Sequence, residues 1–230
     1  MPERASSWCL DLLRDRYDAL LVANGTPLSR GLLTRLRKRS DHVVALDGGV
    51  NTLFRCQIVP DLVVGDLDSA LSRSLAWAKA HGAKIHRLPS QDAPDMAKGI
   101  EFCRALGMKR ILIAGFSGER TDHLLSSLAF VSRLRGVDIE LVTDDVVIFP
   151  LHGRVSREWC VPLQHTVSWF AFPLAGSCSL SGVQWPFRNR TLSVEGFHSL
   201  SNRPTDPQVR LSQRSGRSLF IIGLRPQPSA

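Results

Sequence analysis

The sequence predicts an α/β domain followed by a smaller all-β domain. Three observations carry that expectation. Between residues 18 and 149, short apolar runs alternate with amphipathic segments of helical spacing. That pattern belongs to a mainly parallel sheet with helices on both faces, a Rossmann-like arrangement. After Pro150 the helical spacing stops, and short segments of period-two alternation recur between turn residues, as in half-buried antiparallel strands. The length, 230 residues, suits one mid-sized and one small domain at roughly 150 residues per domain. The boundary is expected near 150–153, giving an α/β domain over 1–150 and a small β-sandwich over 151–230.

Each element has its own reason. The run 18–24 is apolar and stops at Asn-Gly, and 29–39 has helical spacing with a basic outer face. Strands follow at 43–46 and 62–65, the first β-branched and running into Asp-Gly-Gly, the second running into Asp-Leu-Asp-Ser. A helix over 70–81 has Asp68 or Ser69 available as its cap. Residues 84–88 read as a strand. A helix over 94–106 opens with Pro94 in its first turn and ends before Gly107. Residues 110–116 form a strand and 122–135 a helix, while 138–142 and 146–150 flank Thr-Asp-Asp as a hairpin at the sheet edge. In the second domain, strands are expected at 166–172, 177–182, 191–196, 208–213 and 218–224.

Composition narrows the function classes. Apolar residues make up 43% and charged residues 22%, which excludes wholesale disorder. No stretch reaches the roughly 18 uninterrupted apolar residues of a membrane span. Arg4, Asp11, Arg14 and Asp15 interrupt the start, which therefore lacks a signal-peptide core, and a cytoplasmic protein is expected. Cys9, Cys56, Cys103, Cys160 and Cys178 are odd in number and widely spaced, which argues for reduced, mostly buried thiols. Lys and Arg total 29 against 21 acids, a balance of +8. The bases are dispersed, and the Arg35–Arg39 cluster reads as a solvated helix face, so no nucleic-acid partner is expected.

The chemistry gathers where the predicted strands end, the edge at which open parallel sheets bind ligands. The first strand is followed by Asn24-Gly25 and the second by Asp47-Gly48-Gly49 with Asn51. Asp66-Leu67-Asp68-Ser69 follows the third. Gln91-Asp92 and then Asp95 follow the fourth, and Gly115, Ser117, Gly118, Arg120 and Asp122 the fifth. Carboxylates converging without a cation repel and raise one another's pKa. A hard divalent cation removes that conflict, and Mg²⁺ takes one or two carboxylates together with phosphates. Asp66 and Asp68 stand two apart, so in an extended segment both point to one side. Glycines let backbone N–H groups approach phosphate oxygens, and Arg120 offers a planar donor fork. Together these are the parts of a phosphoryl-transfer site. Each has a plainer role beside it. Asp68 or Asp122 can cap a helix, Asp47-Gly48-Gly49 can be a turn, Asp61 can be structural, and His123 can pack in the core.

These residues resemble a known family. DGGVNTLFRCQIVPDLVVGDLDS (47–69) is similar to the Asp-Gly-Gly-x-Asn, Pro-Asp and Gly-Asp-x-Asp-Ser segments of thiamine pyrophosphokinases. QDAPDMAKGI (91–100) resembles their Gln-Asp-x-Thr-Asp segment and GERTDHLL (118–125) their Gly-Gly-Arg-x-Asp-His motif. SGVQWPF (181–187) and SLSN (199–202) resemble motifs of their second domain. The resemblance implies Mg²⁺-dependent transfer of diphosphate from ATP to thiamine, by a homodimer whose active sites lie between subunits. It implies that Asp66, Asp68 and Asp95 hold metal or polarise the reacting groups, with Asp122 close by. Asp95 and Asp122 both remain open as the group that takes the hydroxyl proton. Asn24, Asp47, Gly48, Gly49, Asn51, Gln91, Asp92, Ser117 and Arg120 are expected to meet nucleotide or phosphate. Trp185 is expected to stack on a ring of thiamine, Ser201 and Asn202 to hydrogen-bond its pyrimidine, and Ser199 to belong to the same thiamine-binding set. Pro94, Glu119 and Ser127 depart from the family pattern. A diphosphotransferase acting on a hydroxymethylpterin, and a non-catalytic binding relative, are the alternatives.

Overall fold

A computed structural model describes residues 8–88, 95–118 and 120–226. The chain divides into two compact units. One comprises Arg14–Phe130 and Gly136–Asp144; the other gathers residues 8–13, Val131–Arg135 and 145–226.

The first unit is built on six parallel strands: β1 (Tyr17–Val22), β2 (Ser40–Leu46), β3 (Leu62–Gly65), β4 (Lys84–Arg87), β5 (Arg110–Ala114) and β6 (Asp138–Val142). Their order is β4-β3-β2-β1-β5-β6. The chain thus winds outward from β1 on one side, then returns to lay β5 on the other. The apolar runs explain the centre: Ala19, Leu20 and Leu21 are wholly buried, as are Ile111, Leu112 and Ile113 on the neighbouring strand. Burying each large aliphatic side chain contributes about 1.5–3 kcal/mol. The Asp18 carboxylate accepts the Lys109 and Arg110 N–H groups and pairs with the Arg110 guanidinium, pinning the register of β1 against β5. Buried Glu140 on β6 is also satisfied, by the Tyr17 hydroxyl and by Arg14.

After the four-residue α1 (Cys9–Leu12), which belongs to the other unit, the connecting helices are α2 (Arg30–Lys38), α3 (Gly49–Cys56), α4 (Ser72–Ala80), α5 (Asp95–Ala105) and α6 (Thr121–Val131). Helix α2 buries Leu32, Leu33 and Leu36 and carries Arg35, Arg37 and Lys38 in its last turn, where cations favour the helix dipole. The sequence predicts no helix over 49–56; α3 begins at Gly49, where Asp47-Gly48-Gly49 could have been a turn, and its two glycines let it start hard against β1. A Cβ on Gly49 would meet the Val22 carbonyl oxygen at 2.0 Å.

The second unit is antiparallel. It contains β7 (Val146–His152), β8 (Val155–Cys160), β9 (Val167–Ser181), β10 (Phe187–Ser193), β11 (Ser199–Asn202), β12 (Gln208–Gln213) and β13 (Ser215–Gly223). Strand β9 is its hub, pairing with β10, β11, β12 and β13. The segments expected separately at 166–172 and 177–182 are one continuous strand of 15 residues. Strands β8 and β11 were not foreseen. Of the two strands expected over 138–150, β6 extends the parallel ladder beside β5, and β7 runs antiparallel along β13. The aromatic core holds Trp169, Phe149 and Phe220, with Trp159 stacked on Phe220 at 4.7 Å between ring centroids. The Trp169 indole N–H donates to Ser218 Oγ at 2.8 Å, and Ser218 donates to Gln213 at 2.6 Å, so these three buried side chains are paired as burial requires. Cys9, Cys103 and Cys178 are buried thiols, Cys160 an exposed one. Among the described residues no helix is long and apolar enough to cross a membrane.

Candidate active site

Strands β2 and β3 lie side by side and end at Leu46 and Gly65, so Asp47 and Asp66 emerge together. The backbone is arranged to bring their side chains close. Asp47 has φ +44° and Leu67 φ +68°, both in the left-handed region, and Gly65 has φ +147°. A Cβ on Gly65 would stand 2.0 Å from Asp47 Oδ1, so only glycine lets the Asp47 carboxylate lie against the end of β3. Asp47 Oδ1 accepts the Leu67 N–H at 2.8 Å, and Asp66 Oδ1 accepts the Asp68 N–H at 3.2 Å. One carboxylate oxygen from each of Asp47, Asp66 and Asp68 lies within 4.8 Å of the others.

Asp47 is only 2% exposed, and its Oδ2 has no hydrogen-bond partner. Burial pushes its carboxyl up to about 6, and the charges of Asp95, Asp66 and Asp68 push the same way against the Leu67 hydrogen bond. Asp66 moves in the opposite direction. The Asp68 N–H and the nearby charge of Lys98 hold it below the usual carboxylate value. A buried, orphaned carboxylate oxygen among like charges is the donor set that a hard cation satisfies.

The loop after β3 is stapled to α3. Ser69 Oγ accepts the Gly48 N–H at 3.0 Å, the Asn51 amide donates to the Ser69 carbonyl at 2.9 Å, and Asn51 Oδ1 accepts the Leu71 N–H at 3.0 Å. Asn51 therefore spends both ends of its amide on the loop. Asp68 does not cap α4; the residue at that cap position is Leu71. The loops after β1 and β5 meet beside them: Gly25 N–H donates to the Gly115 carbonyl at 2.7 Å, and Thr26 N–H to that of Ser117. A Cβ on Gly48 would overlap the Asn24 amide, so Asn24 lies against the start of α3.

The remaining acids are placed differently. Asp95 opens α5 and receives the Lys98 ammonium at 3.1 Å. Its charge reaches Asp47, but it is not among the three clustered carboxylates. Asp122 sits in the first turn of α6, exposed, in a two-point pair with Arg120 at 2.6 and 3.2 Å. That guanidinium holds the Asp122 carboxyl down at about 2. Ser127, on the same helix, is buried. Gln91, Asp92, Pro94 and Glu119 lie outside the described residues.

In the second unit, Trp185 stands 56% exposed between β9 and β10. Asn202, 2% exposed, holds it from below. Asn202 Oδ1 accepts the Trp185 N–H at 3.1 Å, and its Nδ2 donates to the Trp185 carbonyl at 2.9 Å and to Ser199 Oγ at 3.2 Å. Ser199 is buried too. Ser201, at φ +47°, donates its N–H to Ser168 Oγ at 2.9 Å and leaves its side chain exposed. Sequence reasoning missed Lys98 and Ser168, and offered Ser69 as a helix cap, whereas it staples the loop to α3. It placed Asp47 with the phosphate contacts, whereas the structure sets it inside the acidic cluster. Nothing in a one-dimensional reading marks a serine that staples a loop.

Comparison with known proteins now bears on this geometry. Residues 33–143, which carry the acidic cluster, match the family model described as thiamin pyrophosphokinase, catalytic domain. The chain is 28% identical to "Thiamin pyrophosphokinase 1" of Caenorhabditis elegans, covering 93% of each chain. It is 26% identical to "Thiamine pyrophosphokinase 1" of Oryza sativa subsp. japonica, over 79% of this chain and 78% of that one. Its fold is similar to that of thiamin pyrophosphokinase from Candida albicans, with a TM-score of 0.79 and 20% identity, over 91% of this chain and 90% of the other. Family model, relatives and fold point the same way: over its catalytic-domain region and along most of its length the chain is similar to thiamine pyrophosphokinases.

Proposed function

We propose that this protein is a thiamine diphosphokinase, moving the β,γ-diphosphoryl group of ATP onto the hydroxyl of thiamine and releasing AMP. The observation that carries the reading is the Asp47, Asp66 and Asp68 cluster, with its buried unpartnered oxygen, at the carboxyl edge of a parallel sheet. Those residues fit Mg²⁺, and Asp66 and Asp68 would hold it with Asp47 and with Asp95 beside them. When bound, the ion supplies charge neutralisation for the triphosphate.

The chain's own groups do the rest. Gly25, Gly48, Gly49 and Gly118 leave room for phosphate to approach the backbone at the strand ends, and Arg120 offers a two-point fork to the moving phosphoryls. For that, Arg120 must exchange Asp122 for substrate. The exchange frees the Asp122 carboxylate, which makes it a candidate to take the hydroxyl proton; Asp95 is the other. In the step itself, a bond forms between the thiamine oxygen and the β-phosphorus, and the bond from that phosphorus to the α-bridging oxygen breaks. The electron pair leaves on AMP, and the hydroxyl proton passes to a carboxylate. Positioning and preorganised charge supply most of the acceleration. Gln91, Asp92 and Ser117 complete the expected nucleotide contacts.

Trp185 offers an exposed aromatic face to a cationic thiazolium or a flat pyrimidine, and Ser201 directly precedes Asn202, which bonds the Trp185 backbone. Asn202 and Ser199 serve by holding the Trp185 segment. The first unit reads as a Rossmann-like sheet with helices on both faces, and the second as a small β-sandwich. We read the protein as cytoplasmic and homodimeric, with thiamine and nucleotide brought together between subunits. Light scattering of the purified protein tests the dimer; a monomeric mass at assay concentration removes it. The decisive assay supplies ATP, Mg²⁺ and either thiamine or a hydroxymethylpterin. Thiamine diphosphate with equimolar AMP is expected. Thiamine binding without AMP release would identify a non-catalytic relative, and AMP release only with the pterin would replace the substrate.

A further inference from the structure

Lys98 is a lysine whose place the reading above does not explain. It stands one turn after Asp95 on α5, yet its side chain is only 9% exposed, where Asp95 is 46% exposed. Lysines on helix surfaces normally keep the ammonium in water. Here the helix is pressed onto the sheet: Met96, Ala97 and Ile100 are buried, and a Cβ on Gly99 would meet Leu46 Cδ2 at 2.2 Å. Leu46 is the last residue of β2, immediately before Asp47. The seating therefore carries the Lys98 ammonium to the acidic end of the sheet. Among the described residues the ammonium, which has three donors, gives one hydrogen bond, to Asp95.

A fixed cation here has two opposite consequences. It repels a divalent ion that arrives alone at Asp47, Asp66 and Asp68. It attracts the complex of that ion with a triphosphate, whose net charge is negative. Resting on the thiamine diphosphokinase reading, we infer that Lys98 couples divalent-cation loading to nucleotide binding: its ammonium balances the carboxylates in the empty site and turns onto phosphate oxygen when ion and nucleotide enter together. Its influence on Asp66, which it helps hold as the carboxylate, is consistent with that placement.

The test is a binding cycle. Mn²⁺ affinity is measured by calorimetry or electron spin resonance, with and without an ATP analogue whose α,β-bridging oxygen is methylene. Wild-type protein, Lys98→Met, Lys98→Gln and Lys98→Arg are compared. In wild type the analogue tightens Mn²⁺ binding. In Lys98→Met and Lys98→Gln, Mn²⁺ alone is expected to bind at least about 3-fold tighter, and the analogue about 10-fold weaker or worse, on the scale of one charge-assisted hydrogen bond. Lys98→Arg keeps the charge and is expected to keep the coupling. The Gln variant stands in if the Met variant fails a melting test. Unchanged Mn²⁺ and analogue affinities in a folded neutral variant would reduce Lys98 to a helix-surface partner of Asp95. That outcome, with wild type still making thiamine diphosphate, sinks only the coupling. A wild type that neither binds the analogue nor makes product sinks the functional reading together with it.

Discussion

Asp47 and Asn202 are the same 2% exposed, and both sit beside candidate ligand groups, yet they are treated in opposite ways. Asn202 has its amide fully engaged, with one acceptor and two donor bonds holding Trp185 and Ser199. Asp47 keeps one oxygen without a partner, takes a left-handed backbone angle, and faces three other carboxylates. Burying Asn202 costs little because its hydrogen bonds are replaced. Burying Asp47 is unfavourable until a cation arrives. A satisfied buried polar group holds a shape, whereas an unsatisfied one stores affinity for something not yet bound. Glu140 makes the contrast sharper, since it is also a buried acid of the first unit and is met by Tyr17 and Arg14.

That contrast can be broken by substitution. The largest effect is expected at the cluster. Asp66→Asn should lower turnover by about 100-fold or more, on the scale of losing one preorganised electrostatic partner, with an unchanged circular dichroism spectrum. Near-normal thiamine diphosphate synthesis would remove Asp66 from the metal assignment. Next is Trp185→Ala, which should raise the KM for thiamine by about 10-fold, a stacking contribution on the order of 1–3 kcal/mol, and leave the KM for ATP nearly unchanged. Equal changes in both would make Trp185 a packing residue. Asn202→Ala should act in the same direction but less on thiamine, and should also lower the melting temperature. The loss strands the Trp185 backbone groups, at about 1–3 kcal/mol. An unaltered thiamine KM with a lowered melting temperature would confine Asn202 to stability.

The smallest expected effect is the most diagnostic. Asp47 titrates at about 6 in the folded protein against an ordinary value of 3.8. The folded state therefore holds its proton longer than the unfolded state does. Its contribution to stability is full below about 4, is lost as pH rises towards 6, and stays lost above that. Divalent-cation affinity should rise through the same window, because the ligand must be deprotonated. Asp47→Asn accepts the same backbone angle without the charge. It should raise the melting temperature of the metal-free protein at pH 7 by about 2–4 °C and weaken Mg²⁺ binding. A lowered melting temperature at pH 7 would show that the Asp47 carboxylate is already compensated.

How far the site could be read ahead depended on what each residue answers to. The strand ends at Asp66-Leu67-Asp68 were legible because an apolar run broken by closely spaced acids has few other uses. Helix α3 was not, since Gly48-Gly49 looks like a breaker until β1 is placed beside it and fills the space a side chain needs. The 15-residue β9 was read as two pieces because its interior Pro173, Gly176 and Ser177 resemble turn residues; pairing with four neighbours overrides them.

The sequence by itself determined the alternation of strands and helices, the change of character after residue 150, and the acids waiting at the strand ends, because apolar periodicity and residue chemistry are local. Only the tertiary structure decided which acid shares its site with which. It set Asp47 inside the cluster, gave Asp122 to Arg120, and brought Lys98 down to the sheet edge. Those choices follow from strand order and helix seating, which join residues far apart in the chain and leave no periodic trace along it.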